Sequence, residues 1–209
     1  MIIQVSTLPS LGEGYKQDTI EVYPLTYKKL IEFCKEPVRT EAQKLKRDIK
    51  YFLSDIPNYK SFNLYDMKAL IFGRKILSIS LDDEIKCEII NPVTKDTEKI
   101  TIIISQIQFE PISENIKNIK SVKIGNKYRD IVYPLTIGDF EETLDVFLRR
   151  NEDVDIKIVY LCALFNFVQN PNEVKSFIEN SIYDEIKLLE TLHHYLSGAT
   201  VPYKAKLKN

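Results

Sequence analysis

The side chains best equipped for chemistry in this chain are few and scattered. His193 and His194 are its only histidines. Neighbours on a helix point about 100 degrees apart, so the two cannot chelate one ion as an i, i+4 pair would. Near a helix C-terminus they suit the dipole instead. The three cysteines, Cys34, Cys87 and Cys162, are odd in number and far apart, which fits neither a disulfide framework nor paired zinc spacing. They read as reduced thiols, and Cys162, inside an apolar run, as a core residue. The acidic pairs Asp82-Asp83 and Glu141-Glu142 have the right groups for general acid–base work, but charges at this frequency read as solvated faces. Lys44, Lys46, Arg47 and Lys50 form a basic helix face broken by Glu41 and Asp48, a surface stripe before a nucleic-acid site. No Gly-rich phosphate loop and no nucleophile elbow can be read. The expectation is a chain with no catalytic residue, no cofactor and no metal.

Composition narrows the classes further. The 209 residues are 44% hydrophobic, enough to bury a core in one large or two small domains. Lys and Arg number 29 against 30 Asp and Glu, so the net charge of -1 gives no overall field for a phosphate backbone. Neither an uninterrupted apolar run of about 18 residues nor a signal-peptide start is present, so a soluble intracellular product is expected.

The elements that must position these residues announce themselves through a repeat. Glu21-Val22-Tyr23-Pro24-Leu25-Thr26 and Asp130-Ile131-Val132-Tyr133-Pro134-Leu135-Thr136 share a Tyr-Pro-Leu-Thr block. Each copy follows an extended β-branched stretch and precedes an amphipathic run, Tyr27 to Lys35 or Ile137 to Arg150. Proline ends a strand ladder and threonine is placed to cap a helix, so the block reads as a strand-to-helix joint. Asp139 adds negative charge to the first turn after the second copy.

Between the joints, Ala42, Leu45, Ile49 and Phe52 recur at helical spacing over Thr40 to Leu53, and Asp55-Ile56-Pro57-Asn58 breaks that helix. Asn63 caps a further helix carrying Leu64, Met67, Ala69, Leu70 and Ile71 toward Gly73. From Ile76 the period changes to two: Ile76, Ser78, Ser80, then Ile85, Cys87, Ile89, then a β-branched run from Ile100 to Phe109. Asn91 to Asp96 has hairpin-loop chemistry, and Glu110 to Asn118 is the expected linker. Val122 to Val132 reads as a second hairpin. Ile156 to Phe167 is apolar on nearly every side and is expected to be the most buried helix. Val174 to Leu196 carries an apolar stripe, with Phe177 and Leu192 as candidate partner-binding residues. The fold class expected is α+β: two related modules, 1–110 with an inserted β-hairpin and 119–209 with a short hairpin then helices, each leading through its joint into helices.

Leu8-Pro9-Ser10, Gly14-Tyr15, then Thr19 through Thr26 resembles the opening of the T4-type bacteriophage baseplate protein family, associated with the baseplate hub and its assembly. Leu64-Tyr65-Asp66, Arg74 and the pair Arg74 to Ile79 and Ile85 to Cys87 occupy places similar to that family's later motifs, so the likeness spans roughly residues 8 to 150. Two positions depart from it. Tyr23 stands where the family has arginine, and Cys87-Glu88-Ile89-Ile90 has one thiol where many relatives carry Cys-x-x-Cys suited to zinc. The resemblance implies a structural component or assembly factor of a contractile-tail phage baseplate, without catalysis. Its partners would be other baseplate and tail proteins or copies of itself, with no nucleic acid and no membrane. It would sit in the host cytoplasm during assembly, or in the virion. The alternatives are a small tail-associated hydrolase and a non-viral protein-binding adaptor.

Overall fold

A computed structural model describes residues 1–79, 84–90, 96–103, 109, 111–112, 117–124, 127–149 and 155–165. The expected stripe with Phe177 and Leu192, the His193-His194 pair, Asp82-Asp83 and the loop from Asn91 to Lys95 lie outside the described residues. The rest is α+β, a mixture of helices with two-stranded antiparallel sheets.

Strand β1 (Ile2–Gln4) pairs with β2 (Thr19–Glu21), bringing Ile3 opposite Ile20. The loop between them turns through Leu11, Gly12 and Gly14 at φ of 56°, 85° and 88°. Glycine takes that left-handed geometry freely, whereas Leu11 adopts it at a steric cost. Helix α1 (Tyr27–Lys35) starts where the first joint predicts, with the Thr26 side chain accepting from the Lys29 amide. Helix α2 (Glu41–Phe52) is capped by Thr40 in the same way, and its Ala42, Ile49 and Phe52 are buried.

Asn63 caps a short 3-10 turn, Leu64–Asp66, that runs into helix α3 (Met67–Ile79). This corrects the sequence reading in one respect. The helix does not stop at Gly73, and Ile76 and Ser78 are helical rather than extended. Gly73 has open space where a Cβ would stand, so it weakens the helix without ending it. The extra turns are held from outside. Buried Arg74 donates to the Tyr23 and Phe52 carbonyls, and Ser78 Oγ accepts from the Leu25 amide. Tertiary hydrogen bonds thus override a short ambiguous pattern of Ile, Leu and Ser.

Strands β3 (Glu84–Ile90) and β4 (Thr97–Ile103) form the inserted hairpin, with Cys87 opposite Ile100 and Ile90 opposite Thr97. Strands β5 (Ser121–Ile124) and β6 (Lys127–Asp130) form the second. Part of the expected linker is anchored: Ile112 is buried and its amide donates to the Pro9 carbonyl at 2.9 Å. Helix α4 (Ile137–Arg149) follows the second joint, and α5 (Ile156–Leu164) buries every residue from Val159 to Leu164.

One core draws on both expected segments. Ile49, Phe52 and Leu53 meet Leu64, Met67 and Leu70, together with Ile137, Phe140, Leu144 and the buried face of α5. The Phe140 and Tyr160 rings stack at 4.4 Å. The backbone is stitched at the same place, where the Leu64 amide donates to Leu135 O at 2.8 Å and the Ile137 amide to Phe62 O at 2.9 Å. No helix among the described residues is long and apolar enough to cross a membrane.

Candidate functional site

Two polar clusters are built around Asp66 and Arg74. In the first, Asp66 at the end of the 3-10 turn is fully buried and receives three hydrogen bonds from the loop after β1. The Ser10 amide donates to Oδ1 at 2.7 Å, the Ser10 hydroxyl to Oδ2 at 2.6 Å, and the Tyr15 hydroxyl to Oδ2 at 2.9 Å. Tyr15 is set in place by its ring, 4.8 Å from that of Phe62. Burial pushes the Asp66 carboxyl up to about 6, although its Ser10 and Tyr15 hydrogen bonds favour the charged form. Burial and the neighbouring carboxylate also drive the Tyr15 phenol upward, so it stays protonated and donating.

The second cluster lies under the first joint. Buried Arg74 gives its Nε to the Tyr23 carbonyl at 2.8 Å and one terminal nitrogen to Phe52 O at 3.0 Å, and it grips Asp55 with both ends of the guanidinium. A planar fork with five donors is suited to this, since it closes the C-terminal end of α2 and the joint at once. The Arg74 hydrogen bond, helped by Lys29, holds Asp55 well below the usual carboxylate range. Tyr23 contributes its backbone carbonyl here, while its exposed hydroxyl bonds Glu21.

The basic face of α2 is spent within the chain. Lys46 reaches Glu141 at 2.7 Å and Asp145 at 2.9 Å, Lys50 pairs with Glu36 at 2.6 Å, and Lys44 lies 3.7 Å from Glu41. Arg47 lays its guanidinium 4.2 Å from the Phe33 ring centre. Burial pulls Lys46 down, but its bonds to Asp145 and Glu141 outweigh that and the net shift is upward.

The acidic pair Glu141-Glu142 is split by the helix: Glu142 is exposed, whereas Glu141 is buried and also accepts from the Tyr59 hydroxyl at 2.9 Å. The expectation of a solvated face therefore fails at Glu141, because α4 packs that side against α2. Burial and the Glu141 bond push the Tyr59 phenol up to about 12. Cys34 is exposed and Cys162 buried, with burial pushing the Cys162 thiol up to about 12, as suits an inert core residue. Among the described residues no group of three or more His, Cys, Asp or Glu could hold a metal ion.

The sequence reading missed Ser10, Tyr15, Asp55 and Glu141 as polar anchors. Ser10 and Asp66 are 56 positions apart and Lys46 and Glu141 are 95 apart, so no local pattern links them. Comparison of the chain with protein-family models, with curated proteins and with solved structures finds no match.

Proposed function

We propose that the chain is a non-enzymatic component or assembly factor of a contractile-tail phage baseplate, in or near its hub. It acts through protein–protein contacts in the host cytoplasm during assembly or in the finished tail. The observation that carries this reading is the use made of the motif residues. Ser10, Tyr15 and Asp66 satisfy one another, and Arg74 satisfies the first joint, so their polar groups fix loops and helix ends for presentation. Ser10 and Asp66 are both fully buried, so neither side chain is placed to meet a substrate.

The two-module reading, 1–110 and 119–209, is part of the proposal. It is supported by Thr26 and Thr136, each of which caps a helix shortly after a strand. On this account the modules share a core and present their hairpins and outer helical faces to other tail proteins.

The test is mass spectrometry of purified particles beside assembly intermediates from the source of the gene. The chain is expected with baseplate proteins in one or both fractions, and its absence from both would refute the proposal. Phe177 and Leu192 are proposed as partner contacts. Replacing either with Asp is expected to leave circular dichroism unchanged while abolishing co-purification with tail proteins; loss of the fold would assign these residues to a core instead.

A further inference from the structure

The loop Leu8–Tyr15 is tied down by an unusual fastening. Its amides close a run of tight turns: Leu11 N to Leu8 O at 2.8 Å, Glu13 N to Ser10 O at 3.2 Å and Tyr15 N to Gly12 O at 3.2 Å. Leu11 projects from it, exposed and left-handed. Among the contacts that hold this loop to the body, the most buried polar one is Asp66, a carboxylate contacted by one amide and two hydroxyls. No Lys or Arg among the described residues pairs with it. Neutral donors satisfy the lone pairs of a buried carboxylate but do not cancel the cost of taking its charge out of water. Both hydroxyls can also accept. A protonated Asp66 can therefore donate to the Ser10 or Tyr15 oxygen after one hydroxyl turns, and the fastening stays hydrogen-bonded without a buried charge.

We propose that Ser10, Tyr15 and Asp66 form a proton-operated latch on the loop Leu8–Tyr15, tightest when Asp66 is protonated and looser when it is charged. Opening the loop lets water reach the carboxylate, so the charged form gains from opening and the neutral form does not. The sign follows directly. Asp66 titrates higher in the closed state than in the open one, so the latch is strongest at acid pH and weakens as pH rises through about 6.

The charged groups on the loop and beside Asp66 in sequence are fastened differently. Glu13 pairs with Lys117 at 3.3 Å and accepts from the Tyr133 hydroxyl at 2.8 Å. Lys68, on the first turn of α3, is shifted downward by its own burial. Glu13 is the other carboxylate that fastens this loop, so a Glu13→Gln variant removes its charge and leaves Asp66 as the titrating fastening.

The experiment is native-state hydrogen exchange of the Ser10, Leu11, Glu13 and Tyr15 amides, corrected for intrinsic rates, in the full chain and in Glu13→Gln. Protection is expected to fall roughly tenfold between pH 5 and 7.5, and this fall should vanish in Asp66→Asn, which keeps the shape and the hydrogen-bonding groups. Carboxyl carbon NMR of the unmutated chain gives an independent reading should Asp66→Asn not fold. A midpoint near 6 for Asp66 supports the latch. Titration in the ordinary carboxylate range, or loop protection that is flat or rises with pH in Glu13→Gln, overturns it.

Discussion

Tyr23 in the first Tyr-Pro-Leu-Thr joint is 64% exposed and turns its hydroxyl back to Glu21, whereas Tyr133 in the second is half-buried and reaches across the molecule to Glu13. The bond before Pro134 is cis and the one before Pro24 is not. Leu25 and Leu135 are both buried, and Thr26 and Thr136 both cap the helix that follows. The helices then diverge. α1 buries no residue completely, while α4 buries six, among them Ile137, Phe140, Leu144 and Phe147. The shared block sets the turn and the cap. The residues beyond it set the depth: Tyr27, Lys28 and Lys29 keep α1 at the surface, and Ile137, Gly138 and Phe140 let α4 enter the core.

Matched substitutions at equivalent distances from the two caps probe this difference. The fourth residue after each threonine is Leu30 or Phe140. Phe140→Ala removes a fully buried ring stacked on Tyr160 and is expected to cost about 3–5 kcal/mol, against about 1 kcal/mol for half-buried Leu30→Ala. Urea unfolding of both variants measures it, and equal losses would break the comparison.

The second residue after each cap is Lys28 or Gly138. A Cβ at Gly138 would stand 2.9 Å from the Lys60 carbonyl oxygen, so Gly138→Ala is expected to destabilise by about 1–3 kcal/mol through overpacking. Exposed Lys28→Ala should change stability by less than about 0.5 kcal/mol. Thermal unfolding of the pair reads the contrast directly.

The caps themselves should differ least. Thr136 and Asp139 cap each other reciprocally: the Thr136 amide donates to Asp139 Oδ2 at 3.2 Å and the Asp139 amide to Thr136 Oγ1 at 3.1 Å. Thr26 has a single 3.4 Å bond from the Lys29 amide. Thr136→Ala is expected to cost about 1–2 kcal/mol and Thr26→Ala about 0.5 kcal/mol, measured by the same denaturant titration.

What was legible in the sequence is what is local. The spacing of Ala42, Ile49 and Phe52, the threonine caps and the apolar run through Cys162 each depend on neighbours within a turn or two, and α1, α2, α4 and α5 lie where those signals put them. The extent of α3 was misread because its last turns depend on Arg74 and Ser78 finding partners in Tyr23, Phe52 and Leu25. The polar clusters were invisible for the same reason. Ser10 reads as a loop serine and Glu141 as a surface acid until the fold brings Asp66 to one and Lys46 to the other.

The central claim is that the motif residues shape surfaces for assembly and perform no reaction, and Asp66 tests it most directly. Asn at this position keeps the size and the hydrogen-bonding capacity of the side chain but cannot exchange a proton or act as a base. The measurement is particle assembly when Asp66→Asn replaces the natural chain in its own genome, with the melting temperature of the purified variant taken alongside. A folded Asp66→Asn chain that supports normal assembly is the predicted result, and a fully folded one that abolishes assembly while keeping the natural chain's loop protection would contradict the account.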